Sequence, residues 1–442
     1  MGVVGLAYPG YSLGENLGPG KLAEMAARVS ALPLDARVAP TFVRSEGDAQ
    51  RAGMELAALG ADFILAVLTT FVPDTFIVEL LRQCDRPLFL WAVERELPCI
   101  ALVCVPLITA TLHNLDKRYH VEGADIADTE AEAQLVRFAR AAAAEGSLRK
   151  LRAGYCGGRC PIMLSMSVDE DSLRHTLGVT VVAIPVEEFY DRAKALSDAA
   201  VSACWQGVKT RVGQVSVRDE DGLLSARYYL AARCLADTYG LHALSLNCFP
   251  HLKSKICLAV AMLNDDGIAA ACEGDLHSTI LMHLLGRLAG RAAFNGDWLR
   301  MYPEQNEVLF SHCGAGAFSL AKEPREVCLR CSLETRDGLA VCFAAALRGP
   351  VTLANLMNGP RGLRLAVMQG TGVETDLAYE GTPLKVRFPC CVKGLLQRIA
   401  GSGAGHHWNG IPGDYLAELR LICERASIPF TNLTFSEGGH HA

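Results

Sequence analysis

The first 150 residues alternate short β-rich runs with stretches of helical composition, and this alternation constrains the fold more than any other feature of the chain. Val3-Val4-Gly5-Leu6-Ala7 reads as a strand that runs into a Pro-Gly loop. Residues 21–31, 49–60 and 74–82 have helical composition, and residues 38–43, 63–68 and 87–91 read as extended segments between them. Strands alternating with helices predict a parallel, doubly wound sheet. Loops that follow such strands commonly carry ligands. A second α/β unit begins near Leu151, after an alanine-rich helix over residues 130–145. It contains a strand at 179–184, a long helix at 225–239 and a strand at 243–246 that leads into Asn247-Cys248-Phe249-Pro250. Residues 275–289 show helical apolar spacing, with Asp275 placed as N-cap and Gly290 as the stop.

The pattern changes after about Met301. Short apolar runs at 308–310, 351–353, 365–368 and 384–388 are separated by glycine-rich turns, which predicts a mostly antiparallel β domain. One helix, 414–426, closes it. The expected division is an N-terminal α/β domain (1–150), a central α/β domain carrying the carboxylates described below (151–305), and a β-rich C-terminal domain (306–442). Residues 438–442, with two histidines, read as a loose tail and are kept out of the site argument.

Composition bounds the function classes. A chain of 442 residues, half of them apolar, can bury several cores without disulfides. The net charge of -6 argues against a nucleic-acid surface. Seventeen cysteines are many and odd in number, and some, such as Cys104 and Cys342, lie in apolar stretches where cysteine behaves as a small hydrophobe. The N-terminus has no basic region followed by an apolar one, so reduced thiols in a cytoplasm are the natural account. The longest apolar stretch, residues 100–112, is too short to span a bilayer and contains Pro106. The expectation is a cytoplasmic protein with neither a membrane nor a nucleic acid as partner.

The chemistry concentrates in three places. Glu273 lies in Ala271-Cys272-Glu273-Gly274-Asp275, and Asp297 follows 24 positions later in Asn295-Gly296-Asp297-Trp298. His406 and His407 sit in a glycine-rich run ending at Trp408. Two carboxylates and an imidazole make a ligand set for a divalent metal at an open site, and carboxylates there can also move protons. Taken singly, each has an ordinary reading: a solvated loop carboxylate, a helix cap or a histidine-containing surface turn. Adjacent histidines on a strand should face opposite ways, so one of the pair would ligate while the other faces substrate. His312, in Ser311-His312-Cys313 directly after a strand, is a further candidate ligand or substrate contact. Cys328-Leu329-Arg330-Cys331 and the Cys156/Cys160 pair lack the matching partner pair of a structural zinc site and read as incidental thiols. Cys156-Gly157-Gly158-Arg159-Cys160 lacks the lysine and hydroxyl residue of a phosphate loop.

The order Cys-Glu-x-Asp, a carboxylate 24 residues on, a His-Cys strand end and then Gly-x-Gly-His-His before a terminal helix resembles the L-fucose isomerase / L-arabinose isomerase family. Phe71-Val72-Pro73 and Pro87-Leu88-Phe89-Leu90-Trp91 resemble that family's first domain. The resemblance implies two Rossmann-like α/β domains followed by a β-barrel-like C-terminal domain. It implies Glu273 and Asp297 as metal-binding, proton-shuttling carboxylates, His407 rather than His406 as metal histidine, and His312 as a further ligand. Trp91 and His113 would be additional substrate contacts, with His113 acting across a subunit boundary. It also implies Mn²⁺, or another divalent ion such as Co²⁺ or Mg²⁺, and a homotrimer or homohexamer with shared sites.

The resulting expectation is a metal-dependent aldose–ketose isomerase acting on a free pentose, hexose or deoxy-hexose through an enediolate. Two alternatives stand beside it: an epimerase or lyase on a related sugar or sugar acid, and a non-catalytic sugar-binding protein.

Overall fold

A computed structural model describes residues 1–94, 99–377 and 381–435; the tail at 438–442 lies outside them. The chain divides into two compact units, Met1–Gly146 and Ser147–Ala442.

In the first unit, strands β1 (Gly2–Leu6), β2 (Arg37–Val38), β3 (Ile64–Leu68), β4 (Leu88–Val93) and β5 (Tyr119–Ala124) form one parallel sheet in the order β2-β1-β3-β4-β5. Helices α1 (Gly18–Ser30), α2 (Glu46–Ala58), α3 (Asp74–Gln83) and α4 (Ala101–Asn114) connect them, and α5 (Thr129–Arg149) follows. Every residue of β1, β3 and β4 is buried, as expected of a parallel sheet covered on both faces. That is why these strands read as unbroken apolar runs. α2 starts three residues before its expected position because the Ser45 hydroxyl caps it, accepting from the Asp48 N–H. The extended segment expected over 38–43 shortens to Arg37–Val38: Pro40 has no N–H for a ladder, and Val43 makes only an isolated bridge with Leu6. The apolar run at 100–112 is α4, which buries Ala101, Cys104, Ile108 and Leu112 at three- and four-residue spacing and tolerates Pro106 inside. Among the described residues no helix is long and apolar enough to cross a membrane.

The second unit opens with a four-stranded parallel sheet, order β10-β9-β6-β7, built from β6 (Arg152–Cys156), β7 (Thr180–Ile184), β9 (Ala243–Leu246) and β10 (Ala269–Ala271). Helices α6 (Glu170–Leu177), α7 (Val186–Ala195), α8 (Asp198–Arg211), α9 (Asp219–Tyr239), α10 (Cys257–Asp265) and α11 (Leu276–Ala289) interleave with it. A small sheet joins β8 (Gln214–Ser216), β13 (Cys328–Arg330) and β14 (Ala340–Cys342). The remaining strands are β11 (Phe294–Tyr302), β12 (Glu307–Ser311), β15 (Gly349–Gly359), β16 (Gly362–Gly372), β17 (Leu384–Arg387), β18 (His407–Pro412) and β19 (Phe430–Asn432). They run β15-β18-β11-β12-β17-β16, and the β15–β16 pairing closes this antiparallel series into a ring, with β19 added parallel to β16. The ring's interior packs Phe294, Phe310, Leu353, Val386 and Trp408 into one apolar cluster.

The architecture is thus mixed α/β, with parallel sheets and a ring-like, mostly antiparallel sheet toward the C-terminus. Two elements of the ring went unforeseen. β11 starts at Phe294, ahead of the expected change of character, and the glycine-rich run before Trp408 ends in strand β18. The single closing helix expected at 414–426 is α13 (Leu416–Arg425), and α12 (Val392–Ser402) precedes it.

Candidate functional site

Two independent pieces of the second unit deliver the carboxylates and histidines to one place. The carboxyl end of β10 runs into Cys272, Glu273 and Gly274, and then into α11. Glu273 adopts a left-handed backbone (φ 62°), which is uncommon for a residue with a side chain and is held here by its surroundings. Its carbonyl accepts from the Cys160 N–H at 3.1 Å, and the next N–H, of Gly274, donates to Leu246 at 3.2 Å. Gly274 is also left-handed (φ 69°), and a Cβ there would stand 2.1 Å from the carbonyl oxygen of Gly158. The Gly157–Gly158 turn therefore serves as a buttress for the Glu273 loop.

The ring supplies the rest. In the β11–β18 pairing Asp297 lies opposite His407, and in the β11–β12 pairing it lies opposite Ser311, the residue before His312. Three neighbouring strands thus place His407, Asp297 and His312 side by side. His407 Nε2 is 3.4 Å from Glu273 Oε2 and 3.9 Å from Asp297 Oδ1, and it is 3.0 Å from His312 Nε2. His406 sits at a bend just before β18. Its ring centroid is 4.0 Å from that of His407, and its Nε2 is 3.6 Å from the same Glu273 oxygen. The opposed orientation expected for the two histidines does not occur, because only His407 belongs to the strand.

Sequence reasoning assigned Asp275 to the helix cap and no further. The carboxylate does cap α11, accepting from the Ser278 N–H at 2.9 Å, and its other oxygen accepts from Nδ1 of His407 at 2.7 Å. With Nδ1 donating to a carboxylate, His407 turns the lone pair of Nε2 toward Glu273 and Asp297, the usual second-sphere arrangement of a metal-binding histidine. Asn355 fixes the same residue by donating to the His407 carbonyl at 2.7 Å. The Cys313 N–H donates to Nδ1 of His312 at 2.9 Å, which leaves Nε2 of a neutral His312 facing His407.

The electrostatics follow from burial and proximity. Burial alone would push Glu273 up, but His406 and His407, with His312 behind them, outweigh it and hold the carboxyl well below the usual carboxylate range. Asp275 behaves likewise: burial opposes its charge, and His407 and Ser278 more than compensate. Burial would lower His407, yet Asp275 and Glu273 together push it up to about 9. Solvent access rises across the site, from a His407 side chain 2 % exposed through Glu273 at 13 % to Asp297 at 33 %.

These groups fit a cation. Glu273 Oε2 is buried and has no hydrogen-bond partner, and it faces the Nε2 lone pair of His407. Carboxylate oxygen and imidazole nitrogen tolerate that approach only with positive charge between them, either a proton on His407 or a metal ion. Ligand bonds of about 2.0–2.2 Å put ligand atoms roughly 3 to 3.6 Å apart, close to the spacings found here. The ligand atoms of Glu273, His312 and His407 lie within 4.8 Å of one another, as do those of Asp297, His406 and His407.

Trp91 and His113 belong to the first unit. Trp91 is fully buried in β4 and its indole N–H donates to the Ala124 carbonyl at 3.1 Å, so it is a core residue there. His113 is exposed in the last turn of α4.

The chain is a distant relative of sugar isomerases. It is 24 % identical over 368 residues to the sulfoquinovose isomerases of Priestia aryabhattai and Priestia megaterium, an overlap of 81 % of this chain and 82 % of each relative. It is 27 % identical over 294 residues to the sulfoquinovose isomerase of Alkalicoccus urumqiensis, covering 65 % of this chain and 66 % of that one. No family model matches the chain. The kinship with sulfoquinovose isomerases corrects the resemblance to the L-fucose isomerase / L-arabinose isomerase family. Short motifs of acids and histidines in order carried that resemblance, whereas the relatives align over most of the chain. The homotrimer or homohexamer it implied, and the role of His113 across a subunit boundary, lose their support with it.

Proposed function

We propose that this chain is a metal-dependent aldose–ketose isomerase acting on a sulfonated deoxyhexose of the sulfoquinovose type. The observation that carries the reading is the convergence of Glu273, Asp297 and His407 on one spot, with the His407 Nε2 lone pair aimed there by Asp275. The kinship with sulfoquinovose isomerases supports the reaction class and supplies the substrate to try first.

Glu273, Asp297 and His407 would hold the ion, with His312 beside them. A divalent cation such as Mn²⁺, Co²⁺ or Mg²⁺ bound there would polarise a sugar carbonyl as a Lewis acid. The chain's own groups move the protons. One of the two carboxylates takes the proton from C2 of the open-chain aldose and returns it to C1. The other carries the hydroxyl proton from O2 to O1, and the intermediate is the enediolate. His406, more exposed than His407 and stacked against it, lies where it can donate to a sugar hydroxyl.

The test is ketose formation from sulfoquinovose, followed by NMR, in metal-stripped protein with and without added Mn²⁺. Turnover should require the metal, and Glu273→Gln and Asp297→Asn should each lower it by about 10²–10⁴-fold while the protein stays folded. A Glu273→Gln variant at near wild-type rate would sink the assignment.

A further inference from the structure

Beside the carboxylate chamber, around His312, lies a group of thiols for which isomerase chemistry has no use. Cys272 follows β10 and Cys313 follows β12, so the two strand ends that frame the chamber each also carry a cysteine. Cys313 Sγ is 3.1 Å from Nδ1 of His312, and Cys272 Sγ is 3.9 Å from both of its ring nitrogens. The ligand atoms of Cys272, His312 and Cys313 all lie within 4.8 Å of one another. Two more thiols are coupled electrostatically to the group: Cys257, at the start of α10, to Cys313, and Cys248, after β9, to Cys272. Cys248, Cys257 and Cys272 are buried, and all four are free thiols.

We infer that Cys272, Cys313 and His312, with Cys257 or Cys248 as fourth donor, form a second metal site, selective for a thiophilic ion of the zinc class. Thiolate and imidazole donors select zinc and other soft ions, whereas the carboxylate-rich chamber in front selects hard ones. Tetrahedral bonds of about 2.3 Å to sulfur and about 2.0 Å to nitrogen place S and N roughly 3.5 Å apart. The two S···N distances here, 3.1 and 3.9 Å, bracket that value. Cys272, Cys313 and His312, completed by one of Cys257 and Cys248, would make the Cys₃His set of closed zinc sites. Binding deprotonates the thiols that ligate and releases their protons to solvent. The site does not rest on the isomerase reading.

The probe is Co²⁺, added to the reduced, metal-stripped full chain and followed by absorption spectroscopy. One equivalent per chain should develop the strong visible bands of tetrahedral cobalt together with sulfur-to-cobalt charge transfer in the near ultraviolet. These bands should vanish in Cys272→Ser/Cys313→Ser and persist in Glu273→Gln/Asp297→Asn. Weak visible absorption alone from the wild type would overturn the proposal, and that result needs no variant to fold. So would strong bands surviving in a folded Cys272→Ser/Cys313→Ser protein, or bands lost from a folded carboxylate variant. Failure of the isomerase assay with these bands intact would count against the proposed function and leave the thiol site standing.

Discussion

Asp275 Oδ2 accepts a 2.7 Å hydrogen bond from Nδ1 of His407, a residue 132 positions away. One carboxylate therefore starts helix α11 and sets the tautomer of the histidine that faces Glu273 and Asp297. Asp275→Asn separates the two roles, since asparagine caps a helix about as well as aspartate. The expected outcome is a folded protein whose Mn²⁺ affinity, measured by titration calorimetry, falls about 10- to 100-fold. Unchanged affinity would show that His407 needs no orienting partner.

Glu273→Gln/Asp297→Asn removes both chamber carboxylates and leaves His407 and His312 in place. High-affinity Mn²⁺ binding should disappear from this variant while its circular dichroism stays that of the wild type. Retained one-per-chain binding would place the hard ion elsewhere.

Gly274→Ala puts a Cβ into a left-handed position 2.1 Å from the Gly158 carbonyl. A clash with backbone cannot be relieved by a rotamer change, so the Glu273 loop or the Gly157–Gly158 turn has to move. The expected cost is at least about 2 kcal/mol in urea denaturation, together with loss of metal binding. A variant as stable as wild type would show that the loop is looser than its contacts indicate.

His283, on α11, has its imidazole lowered to about 4, first by burial and then by the nearby His242 and Arg287. The sign follows from proton uptake. The unfolded chain binds a proton near the ordinary value of 6.5, and the folded chain binds it only near 4, so falling pH favours unfolding across that window. Stability should drop by up to about 3 kcal/mol between pH 6.5 and pH 4 from this group and change little above 6.5. His283→Leu should flatten the urea midpoint over the same range; an unaltered slope would exclude His283 as its source.

The fully buried strands of the first unit were legible because a sheet covered on both faces demands uninterrupted apolar runs: β1, β3 and β4 announce themselves. The N-cap Asp275 and the stop Gly290 were legible for an equally local reason, since caps act within a few residues of themselves. β11 and β18 were obscured because ring strands mix glycine, asparagine and charged residues with apolar ones and owe their register to partners far along the chain. The acids and histidines could be picked out as chemistry from residue type, but their order alone pointed toward a family that the relatives aligned over most of the chain do not support.

Residue type and spacing reveal only local features: the apolar runs, the helix caps, and the presence of Glu273, Asp297, His312 and the histidine pair. Which of these groups meet is a matter of long-range packing. Asp275 turns out to orient His407, both histidines of the pair turn toward Glu273, and Cys272 and Cys313 come within ligand distance of His312. Those relationships depend on a parallel sheet's loop and an antiparallel ring arriving at the same point. Pairing between strands more than a hundred residues apart sets that geometry, and local sequence pattern carries no record of it.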